Sequence, residues 1–185
     1  MEEKLLVIGE GREVSAVRDI IEALQKEMVL ERIHERTEAA LWEDWKQLAV
    51  RYPVVSVVVA DPKKRLRIIA KLEEYCCTIM TLIHPESVVS PAASLGKGCM
   101  ICPMAVIEAG SVLGTGVWVK AGAIVEGDCL IGDACCLESG SIVKAGSIVP
   151  PGTTVQSGEV FCQEAAEVFK ELQNNSCEYS FEVGM

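Results

Sequence analysis

An aliphatic residue recurs at every sixth position between Ile83 and Val155 without a slip, and Phe161 extends the series by one more step. The members between the two ends are Val89, Leu95, Ile101, Ile107, Leu113, Val119, Val125, Ile131, Leu137, Val143 and Val149. A period of six fits neither a helix, with its period of about 3.6, nor an alternating strand, with its period of 2. The repeat predicts a short strand followed by a corner, repeated along the second half of the chain.

The other positions of the repeat agree with a strand and a corner. Four residues after each aliphatic position lies a mostly small residue that can fill an interior, and Cys99, Cys129 and Cys135 are among these. The position three after it is glycine at 98, 110, 116, 122, 140, 146, 152 and 158, and Asp128 at another. These residues suit a corner with positive φ. At three repeats per turn, the segment predicts a triangular parallel β-coil of slightly more than four turns, about 20 Å tall at a strand spacing of ~4.8 Å.

The residue before each aliphatic position is largely apolar as well. This sixth-position set comprises Val88, Met100, Val106, Val112, Trp118, Ile124, Leu130, Ile142, Ile148 and Val160. The outside of a lone prism should be more polar, so the pattern predicts that the outer faces meet a partner.

The first half of the chain has a different pattern. KLLVIGEG, MVLERI, VVSVVVA and TIMTLI are predicted strands, and they alternate with predicted helices over REVSAVRDIIEALQK, residues 37–51 and residues 62–75. Such alternation predicts a parallel sheet in a small Rossmann-like α/β domain. We therefore expect this domain over residues 1–80, the β-coil over 81–161, and a C-terminal helix and strand-like tail over 162–185.

A ligand site is expected where the parallel strands end, since ligands of such sheets bind beyond the carboxyl ends of the strands. The residues placed there are Gly9, Glu10, Gly11, Arg12, Asp61 and Arg65. Two glycines at a strand-to-helix turn are a weak nucleotide signal, because the third glycine of the fingerprint is absent. The alternative is a tight turn whose glycines serve backbone geometry alone.

The composition of the chain excludes several classes of binding partner. The formal net charge of −10 argues against nucleic acid, and an acidic amino terminus without a bilayer-length apolar run predicts a cytoplasmic protein. Without an export signal, the nine cysteines are best interpreted as reduced thiols. The only two histidines are His34 and His84, so we expect no metal site.

Three segments together resemble the sialic acid and bacillosamine acetyltransferase family, the NeuD-like sugar acyltransferases. They are the strand-GxG opening, the junction LIHPESVVSPAASLGKG and the coil segment VEGDCLIGDAC. VVVADPKKR also resembles the family's strand ending in Gly-Asp with an Arg four residues on, matched by Asp61 and Arg65. The resemblance implies a left-handed coil, a homotrimer, acetyl-CoA or another acyl-CoA between subunits, and a sugar or nucleotide sugar in the first domain.

The same resemblance exposes a departure at the catalytic position. Where the family has an acidic residue, His, an acidic residue and Cys, this chain has Glu126, Gly127, Asp128 and Cys129. The flanking acids are kept, while the histidine that takes a proton from the acceptor is replaced by Gly127. Such a general base contributes ~10²- to 10⁴-fold to the rate.

Other functional positions have changed too. Cys136 aligns with a second family histidine, Lys120 with an asparagine, and Glu13 with a histidine of the first Gly-rich turn. The resemblance places Lys120, Cys136 and Trp118 in the acyl-CoA cleft.

Two functions are therefore open. The first is an acyl-CoA-dependent acyltransferase for a nucleotide-linked or amino sugar, impaired by the missing base, with Glu126 or Asp128 as a weak substitute. The second is a non-enzymatic trimeric protein that binds a sugar nucleotide or CoA, or serves only as a scaffold. Cys136 as nucleophile is disfavoured, because the repeat places no histidine close enough to activate it.

Overall fold

The computed structural model of the chain describes residues 5–9, 13–25, 28–32 and 50–163. The predicted helix over 37–51 and the predicted C-terminal helix and tail lie almost wholly outside these residues. No helix in the described ranges is long and apolar enough to cross a membrane.

The N-terminal unit is a parallel sheet with two described helices. Its elements are β1 (Leu5–Gly9), α1 (Glu13–Ala23), β2 (Met28–Arg32), β3 (Val54–Val58), α2 (Pro62–Glu74) and β4 (Thr78–Ile79). The strand order is β2-β1-β3-β4 and every pairing is parallel. Leu6 and Ile8 of β1 pack with the α2 side of the sheet, whereas Leu5 and Val7 pack with the α1 side. A Rossmann-like assignment for this unit stays a prediction.

The second unit is a parallel β-solenoid of about four turns, which confirms the coil predicted from the six-residue period and matches a left-handed β-helix. Its two-residue strands are β5 (Leu82–Ile83), β6 (Val88–Val89), β7 (Ser94–Leu95), β8 (Met100–Ile101), β9 (Val106–Ile107), β10 (Val112–Leu113), β11 (Trp118–Val119), β12 (Ile124–Val125), β13 (Leu130–Ile131), β14 (Cys136–Leu137), β15 (Ile142–Val143), β16 (Ile148–Val149), β17 (Thr154–Val155) and β18 (Val160–Phe161). Each strand pairs with the strand three further on, so Val119 lies beside Leu137 and one turn takes three repeats.

Three faces result from this pairing. We name the sheet β5-β8-β11-β14-β17 the docked face, the sheet β6-β9-β12-β15-β18 the second face, and the sheet β7-β10-β13-β16 the third face. The aliphatic residues of the repeat point inward and form one continuous core. Positive φ occurs at the eight predicted corner glycines and at Asp128, and also at Met104 and Ala134, whose residue types did not predict it.

One strand prediction was wrong. TIMTLI is two short strands, not one: β4 pairs with β3 of the N-terminal sheet, whereas β5 pairs with β8 of the coil. The hydroxyl of Thr81, between the two strands, donates to the carbonyl of Gly96 at 2.8 Å, which attaches this residue to the coil. The continuous apolar pattern therefore spans a junction between two different sheets.

The chain itself covers part of the outer surface for which the sequence predicted a partner. Met100, Trp118 and Cys136 of the docked face belong to the same apolar cluster as Val17 and Ile20 of α1. Leu82 of this face is also fully buried. The N-terminal unit is thus the partner of this face. Apolar side chains stay exposed on the other two faces, including Val88, Val112, Leu130 and Val160.

Candidate functional site

The corner that carries Gly127 lies between β12 and β13, where the second and third faces meet. The Gly127 N–H donates to Oε2 of Glu108, one turn earlier, at 2.9 Å. Glu126 repeats this arrangement, since its Oε2 accepts from the Ala145 N–H at 3.0 Å and its Oε1 binds Lys144 Nζ at 2.5 Å. The carboxylates at this corner therefore hold the backbone of the following turn.

This environment makes Glu126 a poor base. The hydrogen bond from Lys144, together with the Ala145 N–H, lowers the pKa of Glu126 below its ordinary value. A carboxylate with a lowered pKa accepts protons less readily than a free one. Asp128 is exposed at the corner itself, in the left-handed region at φ 59°. The corner thus keeps both acidic residues, and Glu126 forms an ion pair with Lys144.

A side chain at Gly127 would require a small adjustment of the preceding turn. The φ of Gly127 lies outside the left-handed region, so its backbone suits any residue. A Cβ built on Gly127 would lie 3.3 Å from the carbonyl oxygen of Ala109 and 3.8 Å from Oε2 of Glu108. A shift of a few tenths of an ångström would admit a larger side chain, with the Glu108 carboxylate beside it.

Lys120 and Cys136 meet at a different edge, where the docked and second faces join. Lys120 Nζ lies 2.8 Å from Oε1 of Glu138, and the Cys136 thiol donates to the same oxygen at 3.3 Å. Burial and the Glu138 charge raise the pKa of Cys136 to about 12, which keeps it a neutral thiol. Burial alone would lower the pKa of Lys120, but the bond to Glu138 and nearby charges raise it, so Lys120 stays an ammonium.

A cavity of about 280 Å³ opens at this edge between α1 and the coil. Its lining residues are Glu13, Ala16 and Asp19 from α1, and Met100, Cys102, Pro103, Lys120, Ala121 and Ser139 from the coil. The floor is apolar and the charged groups are few, an arrangement typical of small-molecule sites, although those usually span ~300–1,000 Å³. The cavity brings together Glu13 and Lys120, two of the positions at which the chain departs from the family pattern.

The predicted site residues do not form one cluster within the chain. Gly127 lies at the edge between the second and third faces, and Lys120 lies at the edge between the docked and second faces. One chain therefore holds these two residues at different edges of the coil.

The N-terminal site residues have other contacts. Gly9 is buried at the end of β1, where a Cβ would come within 2.9 Å of the Val58 carbonyl oxygen, so a close approach of two strands requires glycine there. Asp61 caps α2 by accepting from the Lys64 N–H at 2.6 Å. Glu10, Gly11 and Arg12 lie outside the described residues.

Arg65 and Trp118 contact each other in the interior. The guanidinium carbon of Arg65 lies 4.2 Å from the centre of the Trp118 ring, and both side chains are almost completely buried. In this conformation neither offers a surface to a sugar, a nucleotide or acyl-CoA. The ligand roles predicted for them thus lack geometric support.

Sequence reasoning did not single out Glu108, Lys144 or Glu138. A signal was present, because each lies one turn of the coil from a residue that was considered: Glu108 and Lys144 flank Glu126, and Glu138 follows Lys120. Once the length of a turn is known, such pairs are neighbours on adjacent turns.

His84 has a structural position at the start of the coil. Its Nδ1 accepts from the Glu86 N–H at 3.1 Å, and its side chain is largely buried. Within the described ranges, no group of three or more His, Cys, Asp or Glu side chains is arranged to hold a metal ion.

Comparison with known proteins gave matches to solved structures only. No protein-family model and no curated protein matches the chain. A histidine-to-alanine variant of GDP-perosamine N-acetyltransferase from Caulobacter crescentus, in complex with CoA and GDP-perosamine, matches with a TM-score of 0.73 and 24% identity, over 87% of this chain and 89% of that one. A histidine-to-asparagine variant with the same ligands gives 0.68 and 21%, over the same shares.

A further match has the same architecture. The acetyltransferase domain of PglB from Neisseria gonorrhoeae, in complex with acetyl coenzyme A, gives a TM-score of 0.60 and 24% identity over 88% of this chain and 97% of that one. The chain shares its fold with these acetyltransferases. Since the sequence identities are this low, the matches establish architecture, and the ligands belong to those proteins.

Proposed function

We propose that the chain is an acyl-CoA-dependent sugar acyltransferase in architecture, binding an acyl-CoA and an amino or nucleotide-linked sugar, with acyl transfer strongly impaired. The observation that carries the proposal is the corner at Gly127. It has no proton acceptor at the position of the family histidine, the adjacent Glu126 carboxylate is paired with Lys144, and the Glu108 carboxylate accepts from the Gly127 N–H.

The chemistry explains why this position matters. In direct transfer, the acceptor amine attacks the thioester carbonyl, the new N–C bond forms, the C–S bond breaks and the CoA thiol leaves. A general base removes the proton that the attacking nitrogen loses, which is worth ~10²- to 10⁴-fold. Glu126 is a weak substitute because its pKa is lowered, and Cys136 is a weak nucleophile because its thiol stays protonated at neutral pH.

Proteins of this architecture can bind both ligands after a histidine is replaced. The two Caulobacter variants each have a histidine replaced and are still in complex with CoA and GDP-perosamine. By analogy, we propose that this chain binds its ligands as a homotrimer, with acyl-CoA in the clefts between copies and the acceptor in the cavity beside Glu13 and Lys120. A second copy would also join the two edges that one chain keeps apart.

Replacing Gly127 tests the proposal. We expect Gly127→His to raise the rate of CoA thiol release from acetyl-CoA, in the presence of an acceptor amino sugar, by roughly 10²-fold or more. Gly127→Ala is the matched control, since Ala109 and Ala145 occupy the equivalent positions of adjacent turns. It should leave the rate unchanged. If the native chain turns over rapidly and Gly127→His slows it, the proposed site is wrong.

The alternative is a non-enzymatic trimeric protein that binds a sugar nucleotide or CoA, or serves only as a scaffold, and the changed functional positions beside an intact coil core favour it. Thermal unfolding with acetyl-CoA and with nucleotide-linked amino sugars separates ligand binding from a role as scaffold alone, and the Gly127→His comparison separates an enzyme from a non-enzymatic binder. A ligand at a hundredfold excess over its Kd stabilises the folded state by about 2.7 kcal/mol. Stabilisation by acetyl-CoA supports a retained cleft, whereas no effect from either class of ligand leaves only the scaffold.

A further inference from the structure

Arg65 joins the two units of the chain in an unusual way. It lies in the first turn of α2, yet its side chain is completely buried. Nη1 donates to the carbonyl oxygens of Val59 at 2.7 Å and Ala60 at 3.2 Å, at the end of β3. Nη2 donates to the carbonyl oxygen of Ala134 in the coil at 2.7 Å, and the guanidinium covers the Trp118 ring. One planar group therefore bonds to both units.

The charge of Arg65 is balanced by dipoles. No carboxylate within the described ranges forms a hydrogen bond with it, and its partners are three carbonyl oxygens and an aromatic face. Burial lowers the pKa of Arg65 to about 10, so the group is still charged at neutral pH. Burying a cation is costly, and Nε of Arg65 has no hydrogen-bond partner within the described residues, so the three bonds that the guanidinium does form matter to the docking of the units. A fork of N–H groups can span two carbonyls that lie apart, which a lysine ammonium cannot do.

Arg65 and the cavity lie at opposite edges of the docked face, and the N-terminal unit contacts both edges. The α2 side of the N-terminal unit rests on the edge between the third and docked faces, where a Cβ on Gly116 would lie 3.3 Å from Ile69 Cδ1 and 3.5 Å from Arg65 Nε. The α1 side rests on the other edge of the docked face and forms one wall of the cavity. The unit therefore contacts both edges of the docked face, and Arg65 fixes one of them.

We propose that the Arg65 side chain holds the N-terminal unit on the coil and thereby sets the width of the cavity between α1 and the coil. It is a positioning residue and not a ligand-binding one. The inference does not depend on the proposed acyl transfer, since it concerns only the contact between the two units.

The cysteines of the chain provide a direct test. Cys102 lines the cavity and Cys136 lies on the docked face, so both are protected by the N-terminal unit. Cys129 is buried inside the coil and is protected by the coil alone. Pulse alkylation of the folded full-length chain, followed by mass spectrometry of the peptides, reports each thiol separately. Separation of the N-terminal unit from the coil should expose Cys102 and Cys136 and leave Cys129 protected.

We expect Arg65→Met to speed labelling of Cys102 and Cys136 by about tenfold or more, with Cys129 unchanged. The reason is that the variant lacks the charged hydrogen bonds that local opening has to break in the native chain. The direction cannot arise from electrostatics, since the Arg65 charge lowers the pKa of Cys136 and its removal would slow labelling. Arg65→Lys should also speed labelling, because it keeps the charge and loses the fork. Arg67→Met, at an exposed position of the same helix, is the matched control and should label at the native rate.

Two results would contradict the proposed role of Arg65. Native labelling rates in both Arg65 variants would show that the guanidinium does not hold the units together. Equal acceleration at Cys129 would show that Arg65 supports global stability only. Should Arg65→Met fail to fold, the milder Arg65→Lys carries the same comparison.

Discussion

At the scale of single residues, the coil interior follows a rule that the repeat alone does not express. Five side chains at the small interior position donate to the carbonyl oxygen fifteen residues later: Thr81 to Gly96, Cys99 to Gly114, Ser111 to Glu126, Cys129 to Lys144 and Cys135 to Pro150. The three cysteines here serve as hydrogen-bonding core residues. Serine, threonine and cysteine thus all act as donors at this position, the thiol as the weaker one.

Ser111 provides the sharpest test of this rule. Its hydroxyl donates to the Glu126 carbonyl at 2.8 Å and accepts from the Cys129 N–H at 3.2 Å. Ser111→Ala leaves both backbone groups without this partner, and we expect a loss of about 1–3 kcal/mol in unfolding free energy. Ser111→Cys keeps the donor and should lose less. Urea denaturation measures all three chains.

Ser141 is the natural control for this experiment. It occupies the same repeat position and is buried, but its hydroxyl has no hydrogen-bond partner within the described residues. Ser141→Ala should therefore be neutral or stabilising, because a buried unsatisfied hydroxyl is removed. A loss at Ser141 equal to that at Ser111 would contradict the rule.

At the scale of elements, the corners were largely predictable and the exceptions are informative. Glycine marks a corner because only glycine adopts positive φ without cost, so eight corners could be located from the sequence. Met104 at φ 59° and Ala134 at φ 54° follow the geometry of the coil against their own preference. Neighbouring turns impose the conformation on them, and no local pattern reveals it.

Met104 and Gly122 form a matched pair for measuring that cost. They lie at equivalent corners of adjacent turns with φ of 59° and 68°, and a Cβ on Gly122 meets nothing within 4 Å, so a side chain there costs only the strain of positive φ. We expect Met104→Gly to be stabilising by roughly 0.5–1 kcal/mol, the relief of strain less the entropy gained by the unfolded chain. Gly122→Ala should be destabilising by about 1 kcal/mol. Changes of opposite sign in the unfolding free energy of the two variants, measured by thermal unfolding, support this interpretation, whereas destabilisation by both substitutions would refute it.

Asp61 shows how a residue of the predicted ligand site acts in its element. Its carboxylate accepts from Lys64 N at the start of α2, directly before Pro62, which is a typical helix start. Asp61→Ala should cost about 1 kcal/mol in unfolding free energy, whereas Asp61→Asn should retain most of it. If Asp61→Asn instead abolishes stabilisation by a nucleotide-linked sugar at unchanged stability, Asp61 is a ligand residue as well as a cap.

At the scale of the whole molecule, the sequence located the coil but not the surface that covers it. Every outer face carries apolar side chains, so periodicity cannot tell which face meets the N-terminal unit. The burial of Arg65 was equally hidden, because arginine is almost never fully buried and its partners are backbone carbonyls of residues up to 69 positions away. The missing base at Gly127 could be recognised from the motif alone. Lys144 could be recognised as the partner of Glu126 only once the length of one coil turn was known.

The proposed homotrimer makes a prediction about the two uncovered faces of the coil. Leu130 and Val112 of the third face are 47% and 45% exposed, and Ile124 of the second face is half-buried. We expect the native chain to sediment as a trimer, and either Leu130→Glu or Ile124→Glu to yield a monomer with an unchanged far-ultraviolet spectrum, because a charge cannot be buried there unpaired. Thr154→Glu, at an exposed outward position of the docked face, should stay trimeric. A native chain that sediments as a monomer would remove the inter-chain cleft, and with it the joining of the Gly127 corner to the Lys120 cavity.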